Sequence, residues 1–180
     1  MIITFGGRAG SGTSSVGRAI ARKLGYKFYS AGDIRRKLAR DKGITLAELN
    51  VQAKTDSSSD KLVDDEMKRM NEKEDNLVID AWVGFHFFPD SLKVFLDADI
   101  AIRAERLLER KNFEEHPDDV NEAVNIIKER EAGDEVRFEK LYGLDIFDPN
   151  HFDLVLDTTG NSVDQTVDQV FRFISSKIKK

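Results

Sequence analysis

Short apolar runs and stretches with apolar residues at helical spacing alternate along the whole chain. Met1 to Phe5 (MIITF) is a run suited to a buried strand, while Val16 to Leu24 (VGRAIARKL) carries its apolar residues on one helical face. A short strand at Lys27 to Ser30, a basic helix from Asp33 to Asp41 and a helix opened by the capping box Thr45-Leu-Ala-Glu48 follow. A polar turn at 56–60 leads into a charged helix through about Glu72. Leu77 to Asp80 and Leu92 to Leu96 read as strands, Ile100 to Arg110 and Val120 to Leu141 as helices, and Phe152 to Leu156 as the last strand. A second capping box, Ser162-Val-Asp-Gln165, opens a final helix whose Val163, Val167, Val170, Phe171 and Ile174 form one stripe. This rhythm predicts a single α/β domain over residues 1–180, a mostly parallel sheet sandwiched between helices. In such sheets ligands gather beyond the carboxyl ends of the strands, so 6–14, 30–36, 80–84 and 97–103 are the segments to search.

The first of these carries the clearest chemistry. Residues 6–15 read GGRAGSGTSS, and the phosphate-loop pattern G-x-x-x-x-G-K-[ST] is met at Gly7, Gly12 and Ser14, with Thr13 where lysine belongs. A strand precedes the loop and a helix follows, which is the required order. Glycines at 6, 7, 10 and 12 let consecutive backbone N–H groups turn inward around an anion at a helix N-terminus. Gly7, Arg8, Ala9, Gly10, Ser11, Gly12, Thr13, Ser14 and Ser15 are therefore the candidate phosphate-binding residues, with the Ser14 hydroxyl placed to reach Mg²⁺. The substitution at Thr13 removes the ammonium that meets the β and γ phosphates. Arg8 either folds back over the phosphates to supply that charge or points into solvent; Arg18 and Lys23 are weaker substitutes.

Composition narrows the class without naming a chemistry. At 180 residues and 40% hydrophobic content the chain is long enough to bury one substantial core, and a net charge of −5 argues against general nucleic-acid binding. It has no cysteine, which excludes a disulfide framework and thiolate metal sites. His86, His116 and His151 lack partners at zinc-ligand spacing. With no signal-like or membrane-length apolar segment, a cytoplasmic location without a membrane partner is expected. Phe85, Phe87, Phe88 and Pro89 form an aromatic segment suited to core packing or a lid contact.

Several further segments carry a family resemblance. Tyr29-Ser-Ala-Gly-Asp-Ile-Arg-Arg36, Leu92 to Arg106, Lys128-Glu-Arg-Glu131, Arg137, Tyr142 to Ile146 and Phe152 to Thr158 are similar, in order and spacing, to the short archaeal-type cytidylate kinases among the nucleoside monophosphate kinases. The resemblance runs over nearly the full length. It implies a P-loop kinase sandwich with a helical lid at about 106–137 and acceptor-binding helices at about 31–75, transferring the ATP γ-phosphoryl group to CMP or dCMP with Mg²⁺. Such a transfer asks chiefly for alignment and positive charge. By matching position, Arg36 meets the acceptor phosphate and Asp33 aligns that segment. Arg130 and Arg137 approach the phosphates from the lid helix, and Arg106 and Arg110 contact the donor nucleotide. Residues 111–119 are the expected hinge or tip of the lid.

Two departures stand against the family pattern. One is Thr13. The other is Asp80-Ala-Trp82, where cytidylate kinases carry an acidic residue followed by Gly-Arg; Trp82 either stacks on the acceptor base or packs the core. Asp80 and Trp82 belong to the expected acceptor-binding set, and Asp80 and Asp97 either organise Mg²⁺ through water or cap a neighbouring element. Two other functions remain open on these departures: a P-loop kinase for another small phosphate acceptor, and a nucleotide-binding regulatory protein without turnover.

Overall fold

The computed structural model describes residues 1–53, 55–109 and 117–178. Strands β1 (Ile2–Gly7), β2 (Lys27–Ser30), β3 (Leu77–Asp80), β4 (Leu92–Asp97) and β5 (Leu154–Asp157) form a sheet in the order β2-β3-β1-β4-β5. Every pairing among them is parallel. The helices are α1 (Thr13–Leu24), α2 (Ala31–Lys42), α3 (Leu46–Ala53), α4 (Ser58–Lys73), α5 (Gly84–Phe87), α6 (Ile100–Leu108), α7 (Val120–Tyr142) and α8 (Val163–Ile178).

Parallel strands are covered on both faces, which explains their nearly continuous apolar runs. Side chains nevertheless alternate. Ile3, Phe5, Val78, Val94 and Leu96 point to one face, against Val16 and Ile20 of α1 and Val167, Val170 and Ile174 of α8. Leu77 and Ile79 point to the other, against Val63, Met67 and Met70 of α4, Phe88, and Phe138 of α7. Each fully buried side chain of this size contributes about 1.5–3 kcal/mol, so the two core layers supply most of the stability and leave the strand ends free for chemistry. The expected three-layer sandwich is thus present, with a sheet that is wholly rather than mostly parallel among the described residues.

Both capping boxes form. Thr45 Oγ1 accepts from the Glu48 N–H at 3.1 Å while Glu48 accepts from the Thr45 N–H at 2.8 Å. Ser162 and Gln165 exchange the same pair of bonds at 3.2 and 2.8 Å. The last strand begins two residues later than its apolar run, because Phe152 ends a 3₁₀ turn (Pro149–His151) and its ring packs against Phe85 and Phe95. The aromatic segment after β3 forms the short α5, and Phe85, Phe87 and Phe88 are all buried.

One helix links the core to the cleft. The buried positions of α7 are Ala123, Ile127, Glu131, Asp134, Arg137 and Phe138, a stripe that starts apolar and turns ionic. Its first two pack on Ala104 and Leu107 of α6. Of the expected lid tip, 111–116 lies outside the described residues; Asp119 caps α7 by accepting the Glu122 N–H at 2.8 Å. Among the described residues no helix is long and apolar enough to cross a membrane.

Candidate active site

The central strand β1 lies between β3 and β4, so its carboxyl end opens into the crevice where the strand order reverses. The glycine loop leaves the sheet there. Gly10 and Gly12 adopt left-handed φ of 87° and 100°, and a Cβ at Gly10 would lie 2.6 Å from the Arg103 carbonyl oxygen. The turn therefore admits only glycine at that position. Gly12 caps α1 without a side-chain hydrogen bond, and no acidic residue sits in the helix's first turn. The helix N-terminus thus opens uncapped into the cleft. Ser11 Oγ is buried without a partner. Open amides, an orphaned hydroxyl and a positive helix end fit a phosphate.

Directly across from the loop stands Asp80 at the end of β3. It pairs in register with both Phe5 and Ser30. Its carboxyl accepts from Ser14 Oγ and from Ser30 Oγ at 3.4 Å, and the Thr13 hydroxyl lies nearby. Burial pushes this carboxyl above the usual carboxylate range, against the pull of those three hydroxyls. Thr13, in the lysine position, thus places its hydroxyl near Asp80. Among the described residues no group of three or more His, Asp or Glu forms a self-contained metal cage. Ser14 and Asp80 are hard oxygen donors on one side only, a set that suits Mg²⁺ completed by phosphate oxygens and water.

Asp97, the other candidate carboxylate, acts differently. It accepts the Ala98 N–H at 2.7 Å and lies 3.6 Å from Arg8 Nε. Arg8 lines the cavity beside the loop and is held there by the protein rather than standing free in solvent. Its guanidinium pairs with Glu131 Oε2 of α7 at 3.0 Å and lies over the Phe147 ring at 4.1 Å.

The opposite wall gathers the arginines. Arg36 donates to Asp33 at 2.6 Å, and Arg18 of α1 pairs with the same carboxylate. Burial alone would raise the Asp33 pKa, but Arg36 and Arg18 hold it below the ordinary value. Arg137 is buried, pairs with Asp134 at 2.6 Å and lies 3.6 Å from Asp60, yet its Nε and one terminal nitrogen lack a hydrogen-bond acceptor. Arg130 lies 5.5 Å over the Trp82 ring, and its Nε, 3.9 Å from Asp134, likewise lacks a hydrogen-bond acceptor. Trp82 meets Phe138 and Phe147 edge-on and still lines the cleft, so it packs the core and faces the cavity at once. Arg8, Thr13, Ser14, Arg36, Asp80, Trp82, Arg130 and Arg137 all line this one cavity.

Arg106 lies apart, in a second cleft behind the loop with Gly10, Gly12, Ser15 and Asn161. There it donates to the Thr158 carbonyl at 2.6 Å, and Thr158 Oγ1 donates to the Ser11 carbonyl at 3.0 Å. Arg110 lies outside the described residues.

Sequence reading missed the counter-ions. Buried Arg35 donates to Asp60 at 2.6 Å and to Asn50 at 2.9 Å, joining α2, α3 and α4. Burial and the neighbouring Arg137 push its guanidinium pKa down. Asp134 is pushed up by burial against the pull of Arg137 and Arg130. Asp60 sat in what reads as a polar turn, and only its position after a serine cluster at a helix start could have marked it. Glu131 and Arg103 lie in segments that carry the family resemblance, but neither was assigned a role from the sequence. His86 and His151 serve packing: His151 stacks on Phe85 at 4.4 Å and His86 lies against Tyr142.

Comparison with known proteins places these features in a family context. A model of the cytidylate kinase-like family matches residues 2–160. The chain is 36% identical to a cytidylate kinase of Sulfurisphaera tokodaii, over 92% of this chain and 90% of that one. It is also 36% identical to a cytidylate kinase of Sulfolobus acidocaldarius, over 98% and 96%. Among solved structures, shikimate kinase from Bacteroides thetaiotaomicron superposes with a TM-score of 0.67 at 17% identity, covering 97% of this chain and 98% of that one. At that identity the superposition shows a common fold.

Proposed function

The chain belongs to the cytidylate kinase-like family and is a nucleoside monophosphate kinase, and from that premise we propose that it transfers the γ-phosphoryl group of ATP to CMP or dCMP. The observation that carries the reading is the single cleft in which an uncapped phosphate loop, the Ser14–Asp80 pair and the arginines 36, 130 and 137 face one another. Transfer of a phosphoryl group needs little covalent help, and this cleft supplies what it does need: backbone amides on one side, fixed cations on the other.

In this reading the loop from Gly7 to Ser15 holds the donor phosphates, and Arg106, which borders the cleft behind the loop, contacts the donor's far end, a role shared with Arg110. Arg36 of the acceptor-binding helices at 31–75 holds the acceptor phosphate, aligned by Asp33. An acceptor phosphate oxygen attacks the γ phosphorus; the bond from γ phosphorus to the bridging oxygen breaks, and ADP leaves. Charge spreads over the oxygens of the group in flight, where the open nitrogens of Arg130 and Arg137, on the lid spanning 106–137, supply acceptor-seeking N–H groups. Ser14 and Asp80 would hold Mg²⁺, which supplies charge neutralisation at the donor phosphates. Arg8, beside the loop, adds the positive charge that Thr13 does not. Trp82 stands where base recognition occurs.

Because Trp82 replaces the family's arginine, a different acceptor base is the second reading. ADP release measured with CMP, dCMP, UMP and AMP separates them: turnover preferring the cytidine nucleotides is expected, preference for another base supports the second reading, and nucleotide binding without turnover by any acceptor would overturn both.

A further inference from the structure

The Glu131 carboxylate is buried on α7 and takes three donors at once. Oε1 accepts from the Ala9 backbone N–H at 3.0 Å and from Arg103 at 2.6 Å; Oε2 accepts from Arg8 at 3.0 Å. Two of the three come from consecutive residues of the phosphate loop. The third, Arg103, is itself braced, donating to the Ala98 carbonyl at 2.9 Å and to the Ala9 carbonyl at 3.2 Å.

We infer that Glu131 is a positioning residue that registers helix α7 on the phosphate loop, so that Arg130 and Arg137 meet the transferring group in line with the donor. The inference rests on the kinase reading above. Arg130 immediately precedes Glu131 on the helix, and Asp134, the partner of Arg137, lies one turn beyond it. Any slip of Glu131 relative to Ala9 therefore moves both arginines relative to the loop. A misplacement of about 1 Å at a reacting centre can cost on the order of 10²-fold in rate.

Simple stabilisation is a poor account of this arrangement. Ala123 and Ile127 already fasten α7 to α6 by apolar packing one and two turns earlier. A buried ionic cluster adds little net stability over a hydrophobic one, but it fixes geometry, because its donors tolerate few alternative positions. The carboxylate is also fully engaged by cations and an amide, which leaves it badly placed to act as a base toward substrate.

Glu131→Gln tests the inference: it keeps the shape and an acceptor for the Ala9 N–H but removes the charge that holds Arg8 and Arg103. The expected result is a fall in kcat of about ten- to a hundredfold, with KM for ATP and for the acceptor each within about threefold of the parent. A bisubstrate analogue, adenosine joined to cytidine through a phosphate chain, spans both walls and should lose about tenfold or more in affinity, while ATP and CMP separately do not. An unchanged kcat, or a loss confined to the KM for ATP, overturns the inference. Glu131→Asp restores the charge one methylene short, is expected to recover part of the rate, and carries the same measurements if the glutamine variant does not fold. Amide exchange at Ala9 gives a readout independent of the reaction. If the parent turns over no nucleotide, the kinase reading fails, while faster Ala9 exchange in Glu131→Ala, which removes the acceptor, still supports the latch and unchanged exchange sinks it.

Discussion

The two walls of the cleft are built by different means. On the donor wall, a glycine loop and a bare helix end aim backbone amides at the space a phosphate would fill, and the side chains in support are hydroxyls gathered on Asp80. Across from it, α2, α4 and α7 bury arginines among carboxylates: Arg35 with Asp60, and Arg137 between Asp60 and Asp134. The first wall binds through local geometry that nearly any sequence with those glycines would adopt. Charges brought from three helices form the second, and it exists only when they close together. Backbone dipoles cost nothing to keep uncompensated at a surface cleft, whereas a buried guanidinium must be paired, and the pairing ties binding to stability.

That contrast can be broken most directly at Asp60. Asp60→Leu leaves Arg35 and Arg137 facing each other without their shared counter-ion, and a loss of about 3–5 kcal/mol in urea unfolding is expected. Adding Arg35→Met should return a substantial part of that loss; a cost under about 1 kcal/mol for Asp60→Leu alone would mean that the two arginines do not depend on it.

On the donor wall the same kind of change should split activity from stability. Burial raises the Asp80 pKa in the folded protein above its ordinary value of 3.8. A carboxyl with a raised folded pKa contributes stability that is fully present below its unfolded pKa and is lost as pH rises through the folded pKa. Asp80→Asn removes that loss. Its melting temperature should exceed the parent's at neutral pH, with the advantage vanishing toward pH 4, while turnover falls by about 10²–10³-fold if the proposed Mg²⁺ site is lost with the carboxylate. A variant that melts lower than the parent at pH 7 would contradict this sign.

The smallest effect is expected at the residue that looks most anomalous. Thr13→Lys restores the lysine of the phosphate-loop pattern, yet Arg8, Arg36, Arg130 and Arg137 already line the cavity. A change in kcat of less than about tenfold is expected from a steady-state assay; a gain of a hundredfold would show that the arginine wall does not supply the charge the loop lacks.

Much of the donor wall was legible along the chain. Strand, glycine loop and helix are contiguous, so the positive φ angles at Gly10 and Gly12 and the open end of α1 follow from a dozen neighbouring residues. Both capping boxes were equally readable, since each is a contract between residues three apart. Arg8 was not. Its two imagined courses were both local, and its actual partner lies on α7.

The buried pairing of Arg35, Asp60, Glu131 and Arg103 was illegible along the chain for the same reason. On its own helix each has the spacing and company of a solvated charge, and only contact between elements distant in sequence makes it buried and paired.

The order of elements, the sheet's burial on both faces and the identity of the phosphate loop were determined by the sequence alone, because hydrophobic period and backbone conformation are set within a few residues. Which charges are buried, which arginines keep open N–H groups and how α7 seats on the loop were decided by the tertiary structure. Electrostatic partnership depends on distance in space, and that distance exists only after the helices have packed.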